Sequence, residues 1–173
     1  MGSCWRREHA VADGASRTAV VGLGNPLHGD DAVGLIVAQR VYQSLGGRGA
    51  VDAVDLLEPP SSGFALAESL VGYQRAVIID ALVDPDADVG SVRRLDVSEC
   101  YGRAPLSPHT SGFHEGLAMA RAAGLQVPSV IALHGIVVRE PRCFAEGLSR
   151  ELTSRLPMIV ASIIDVDPVA WFG

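Results

Sequence analysis

The chain has 173 residues, 48% of them apolar and 20% charged, and a formal net charge of −6. This length and balance describe one folded domain with a full core and exclude a disordered chain. The negative charge excludes a nucleic-acid footprint, which needs a basic face for the phosphates. No apolar run reaches the ~18 residues of a membrane span.

Residues 1–16 are polar and lack the apolar segment of a signal peptide, so they form a loose extension ahead of a single domain over 17–173. Cys4, Cys100 and Cys143 are scattered, odd in number and without C-x-x-C spacing. They read as free thiols of a reducing compartment, the cytoplasm, and not as a disulfide frame.

The first strand is predicted over 18–23, a valine-rich run too short for a helix. It meets a glycine turn, and from Val33 the apolar residues Val33, Ile36, Val37, Val41 and Leu45 recur at helical spacing. The helix is therefore expected over 31–45, starting at the pair Asp30-Asp31 and stopping at Gly46-Gly47. A helix N-terminus welcomes one carboxylate as a cap; the second is then available for another task. The competing reading makes Asp30 the cap and Asp31 a complement to the helix dipole. A nucleotide site is set aside, because Gly22-Leu23-Gly24 lacks the third glycine of the dinucleotide fingerprint and two carboxylates repel phosphate.

A second strand is expected over 51–57, a loop over 58–63, and a short helix carrying Phe64, Ala67, Leu70 and Val71. Residues 75–82 form the clearest strand, a continuous apolar run of the kind covered on both faces, with Asp80 at its end. A more polar edge strand follows over 90–97, then a helix led in by 105–108 and running to about Ala123, and a last strand over 128–138. The C-terminal helix turns Leu148, Leu152, Leu156, Ile159, Val160 and Ile163 inward, with Pro157 expected to end or kink it. Strands alternating with helices predict a three-layer α/β fold: a twisted, mostly parallel sheet of about five strands, with helices on both faces.

In such sheets ligands gather beyond the carboxyl ends of the strands. Asp31 follows the first strand, Asp80 closes the central one, and His109 opens a later helix, so a parallel sheet brings all three to one edge. Two carboxylates and an imidazole suit a divalent ion such as zinc, nickel or iron. His28, in the glycine turn, is a rival ligand or a substrate contact. His114 stands about 140° around the helix from His109, His134 reads as a core residue, and His9 belongs to the extension. The acidic run 84–88 mimics a calcium loop, but Val89 and Leu95 stand where glycine and glutamate are required, so it reads as a solvated turn.

Three ordered motifs, Gly22-x-Gly24-Asn25-x-Leu27-x-x-Asp30-Asp31-x-x-Gly34, Ile79-Asp80-Ala81 and Ser107-Pro108-His109, resemble those of the hydrogenase maturation proteases. The resemblance runs from about Thr18 to Val138. It implies a phosphorylase/hydrolase-like α/β fold and an endopeptidase that removes the C-terminal extension of a nickel–iron hydrogenase large-subunit precursor after nickel insertion. It further implies a divalent metal, nickel supplied by the precursor, at Asp31, Asp80 and His109. These three residues then carry the catalysis, while Gly24, Asn25, His28 and Asp30 meet the substrate. The expected partner is the nickel-loaded precursor, met by a monomer, with no nucleic acid and no membrane.

Family members carry Glu or Asp at position 31, and this chain has the shorter residue. After the second strand the family commonly has a Gly-Gly-Thr or Gly-Gly-Ser loop, where this chain has Leu56-Leu57-Glu58-Pro59-Pro60-Ser61-Ser62-Gly63. That departure bears on which precursor is recognised. Two other readings share parts of the pattern. A nickel-sensing assembly factor would keep the ligands without cleaving. Peptidyl-tRNA hydrolase shares Gly22 to Pro26, but its downstream His-Asn segment is replaced here by Gly29-Asp30-Asp31.

Overall fold

A computed structural model describes residues 17–46, 54–57, 63–95, 112–139, 144–166 and 171. Several sequence expectations lie outside them: the 1–16 extension, the three cysteines, most of the 58–63 loop, and the Ser107-Pro108-His109 motif.

In chain order the elements are β1 (Thr18–Gly22), a 3-10 turn (Gly29–Ala32), α1 (Val33–Gly46), β2 (Val54–Leu57), α2 (Gly63–Ser69), β3 (Arg75–Val83), β4 (Val92–Leu95), α3 (Phe113–Ala122), β5 (Val130–Val138) and α4 (Arg150–Val166). The strands form one sheet in the order β2-β1-β3-β5-β4. All neighbours are parallel except β4, which runs antiparallel to β5 at the edge. An edge strand with one solvated side tolerates the Arg93-Arg94 pair at its centre.

Both faces of the sheet are covered, and the two-residue period of a strand divides its side chains between two cores. Val20, Val77, Ile79 and Ile136 pack with α1 and α4, while Ala19, Val21, Ala76, Ile78 and Leu133 pack with α2 and α3. The continuous apolar runs of β1, β3 and β5 have this cause.

Several boundaries differ from expectation: β5 starts at Val130, and α3 starts at Phe113, behind Gly112 at φ +77°, so it does not open at His109. The chain does not enter α1 at the aspartates but passes first through the 3-10 turn, so the α-helix begins at Val33. Pro157 neither ends nor interrupts α4, which continues through it to Val166. The proline is exposed, so its ring meets solvent and its cost is confined to local backbone bonding, ~3 kcal/mol. Against that, Leu152, Leu156, Ile159 and Ile163 are all buried, at roughly 1.5–3 kcal/mol each.

At the amino edge of the sheet Arg17 pairs with Asp55 and lies over the Tyr73 ring, 5.2 Å from its centroid. Burial, and then the charge and hydrogen bond of Asp55, push the Tyr73 hydroxyl up to about 12 against the opposing pull of Arg17. This cluster closes the end of the sheet opposite the predicted site.

Candidate active site at the carboxyl edge

The order β2-β1-β3 means that the chain leaves β1 toward one side and returns on the other. The connections follow opposite faces, α1 lying on one and α2 on the other. The gap beyond the ends of β1 and β3 is thus the switch point of the sheet, where open α/β folds leave a crevice for ligands. Asp31 comes from the 3-10 turn after β1, whereas Asp80 does not close β3 as the sequence suggests: the strand continues to Val83 because its pairing with β5 outlasts that with β1. Both aspartates flank that gap.

Asp80 is fully buried. The last paired residue of β1, Gly22, faces Ile79, so Asp80 lies one step past the end of β1 while remaining paired with Gly135 of β5. Its Oδ1 accepts the Ala81 N–H at 2.8 Å. Leu23 continues the β1–β3 ladder by donating to the Ile79 carbonyl at 2.8 Å.

Two glycines set the close backbone approaches on either side of this gap. At Gly24 φ is +139°, and a Cβ there would fall 2.0 Å from the Asp31 carbonyl oxygen; only glycine fits both demands. At Gly34 a Cβ would fall 2.2 Å from the Leu23 oxygen, 2.5 Å from the Ile79 oxygen and 3.1 Å from the Asp80 Cα. The start of α1 therefore rests directly on the backbone at Asp80. Asp31 lies three residues before Gly34, in the 3-10 turn that packs beside β3.

The Asp31 carboxylate closes its own loop: Oδ2 accepts the Asn25 N–H at 2.7 Å. Asn25 Oδ1 accepts the Leu27 N–H at 3.0 Å, which turns the amide nitrogen toward His28 Nδ1 at 3.3 Å. The amide N–H thereby faces the ring nitrogen as a donor. The His28 ring also meets Phe144 edge-on at 5.1 Å between centroids. Asp30 faces another way, its Oδ1 accepting the Ser149 N–H at 2.6 Å. Neither aspartate caps the 3-10 turn, so the capping alternative is not what the chain adopts.

The structure thus gathers Gly24, Asn25, His28, Asp30, Asp31 and Asp80 around one edge, while His109 lies outside the described residues. Among the described residues no three His, Cys, Asp or Glu side chains form a group able to hold an ion, so His28 does not complete a set with the two aspartates. His134 is buried in β5, as a core histidine should be. The 84–88 segment is a turn, with Asp84 Oδ1 accepting the Asp86 N–H at 3.0 Å.

Sequence reasoning missed two features. One is Ser149 as the partner of Asp30; a serine before a helix signals a cap, but nothing in it points 119 positions back. The other is an open cleft of about 930 Å³ at the ends of β3 and β5, lined by Val83, Asp84, Asp88, Val138, Arg139 and Glu151. Its lining includes neither Asp31 nor Asp80.

Compared with known proteins, the chain matches the HycI hydrogenase maturation protease model over residues 39–166, well over half its length. The chain belongs to the hydrogenase maturation protease family. Membership makes it a peptide hydrolase, an endopeptidase. No curated protein sequence matches it.

The fold is similar to that of the hydrogenase-maturating endopeptidase HybD from E. coli, at 22% identity and a TM-score of 0.65, covering 89% of this chain and 93% of that one. It is similar to the [NiFe] hydrogenase maturation protease HybD from Thermococcus kodakarensis at 26% identity and 0.62, covering 87% and 98%. The [NiFe] hydrogenase maturation protease HycI from Thermococcus kodakarensis KOD1 aligns at 22% identity and 0.56, covering 89% and 94%. The mixed five-stranded architecture is therefore the family's. No helix among the described residues is long and apolar enough to cross a membrane.

Proposed function

We propose that this protease removes the C-terminal extension of a nickel–iron hydrogenase large-subunit precursor after nickel insertion, presenting Asp31, Asp80 and His109 to the precursor's nickel. The observation that carries the reading is the placement of two carboxylates on either side of the β1/β3 switch point, one of them fully buried. The donor set fits: two carboxylate oxygens and one imidazole leave positions open for ligands from a substrate. A bound ion polarises a peptide carbonyl and lowers the pKa of a water.

The chain's own part is positional. Asp80 offers its carboxylate from within the rigid strand β3, just past the end of β1, and Asp31 is oriented by the Asn25 N–H. Gly24, Asn25 and His28 form the surface along which the precursor's tail lies, and holding that tail in register supplies the entropic share of the rate. The protein works as a cytoplasmic monomer that docks transiently on its precursor.

The test is Asp31→Ala with purified nickel-loaded precursor, read by mass. Tail release falls by at least about 100-fold while the far-ultraviolet dichroism is unchanged. Release at the wild-type rate refutes the assignment. A wild-type protein that binds the precursor but never shortens it favours the assembly-factor reading.

A further inference from the structure

The paired aspartates of the glycine loop divide their work. Asp31 turns back into its own loop, whereas the Asp30 carboxylate leaves it and accepts the Ser149 N–H at 2.6 Å, across 119 positions of sequence. Ser149 stands immediately before α4, and its hydroxyl accepts the Leu152 N–H at 3.3 Å. The same approach is made three more times. Gly29 donates to the Ala145 carbonyl at 2.8 Å, Ala145 donates to the Leu27 carbonyl at 3.1 Å, and the His28 ring meets Phe144. The loop carrying Asp31 is therefore bolted to segment 144–149, which α4 anchors through its buried face.

We propose that Asp30 is a positioning residue: through Ser149 it fixes the 3-10 turn, and with it the carboxylate of Asp31, without touching the substrate. Sequence motifs alone place Asp30 among the substrate contacts; the direction of its carboxylate assigns the different role. The bond also sets a negative charge at the N-terminus of α4, the favourable end of the helix dipole. The inference rests on the reading of Asp31 given above and adds what holds that residue in place.

Two substitutions separate position from charge. Asn keeps the acceptor oxygen and loses the charge, whereas Ala loses both. With nickel-loaded precursor, Asp30→Ala should lower kcat by about 100-fold, the loss expected when a reacting group shifts by about 1 Å, with KM little changed. Asp30→Asn should restore most of that loss. Amide hydrogen exchange across residues 29–32 should quicken in Asp30→Ala and not in Asp30→Asn. Ser149→Ala keeps the N–H and removes only the helix cap, so it should lower thermal stability and leave kcat unchanged.

An Asp30→Asn protein as slow as Asp30→Ala overturns the proposal, because the charge itself is then required. So does a Ser149→Ala protein as slow as Asp30→Ala, which would make helix stability the cause. Unaltered exchange at 29–32 in Asp30→Ala overturns the clamp alone, whereas a wild-type protein that releases no tail overturns the proposed function.

Discussion

Gly34 decides how closely the first helix approaches the central strands. A methyl group there would stand 2.2 and 2.5 Å from two carbonyl oxygens of the backbone beneath it, and backbone cannot swing aside as a side chain can. Gly34→Ala should therefore lift the start of α1 off β3. The expected cost is about 1–3 kcal/mol of stability, read as a lower denaturant midpoint, together with slower tail release. An unchanged midpoint would show that the close approach is dispensable.

At this scale the sequence was partly readable. Asp31 and Asp80 stand out because glycine turns and a charge in an apolar run are local patterns; that β3 continues past Asp80 to Val83 is not local, since it depends on pairing with β5. The bond from Asp30 to Ser149 was not readable, because a backbone N–H has no sequence signature and its donor lies 119 positions away.

Among the elements, α4 sets local preference against packing. Pro157 sits inside it, exposed, and the helix continues because its buried stripe outweighs the lost donor. Pro157→Ala should restore that hydrogen bond and raise stability by about 1–3 kcal/mol, with tail release unaffected; a lower melting temperature would mean that the proline's shape is needed. The apolar stripe was legible from its period. The continuation through Pro157 was not, since it depends on how much tertiary burial surrounds the helix. β3 and β5 were legible because a strand buried on both faces is apolar without interruption. The entrance to α1 was misplaced by two residues, because a 3-10 turn and a first α-helical turn share the same acidic, small-residue composition.

For the molecule as a whole, the alternation of strand and helix announced a layered, mostly parallel sheet, and the family's fold confirms it. The strand order was not in the pattern. Which side each crossover takes is settled by packing among distant segments, and that choice puts the switch point between β1 and β3. The central claim belongs to this scale: one carboxylate from the connection after β1 and one from within β3 meet a metal-loaded precursor at one crevice. Its most direct test is a mass-resolved time course of the purified protease with nickel-loaded and with metal-free large-subunit precursor. The account predicts a discrete loss of the C-terminal tail from the nickel-loaded precursor alone. Equal shortening of both precursors, or of neither, would contradict it.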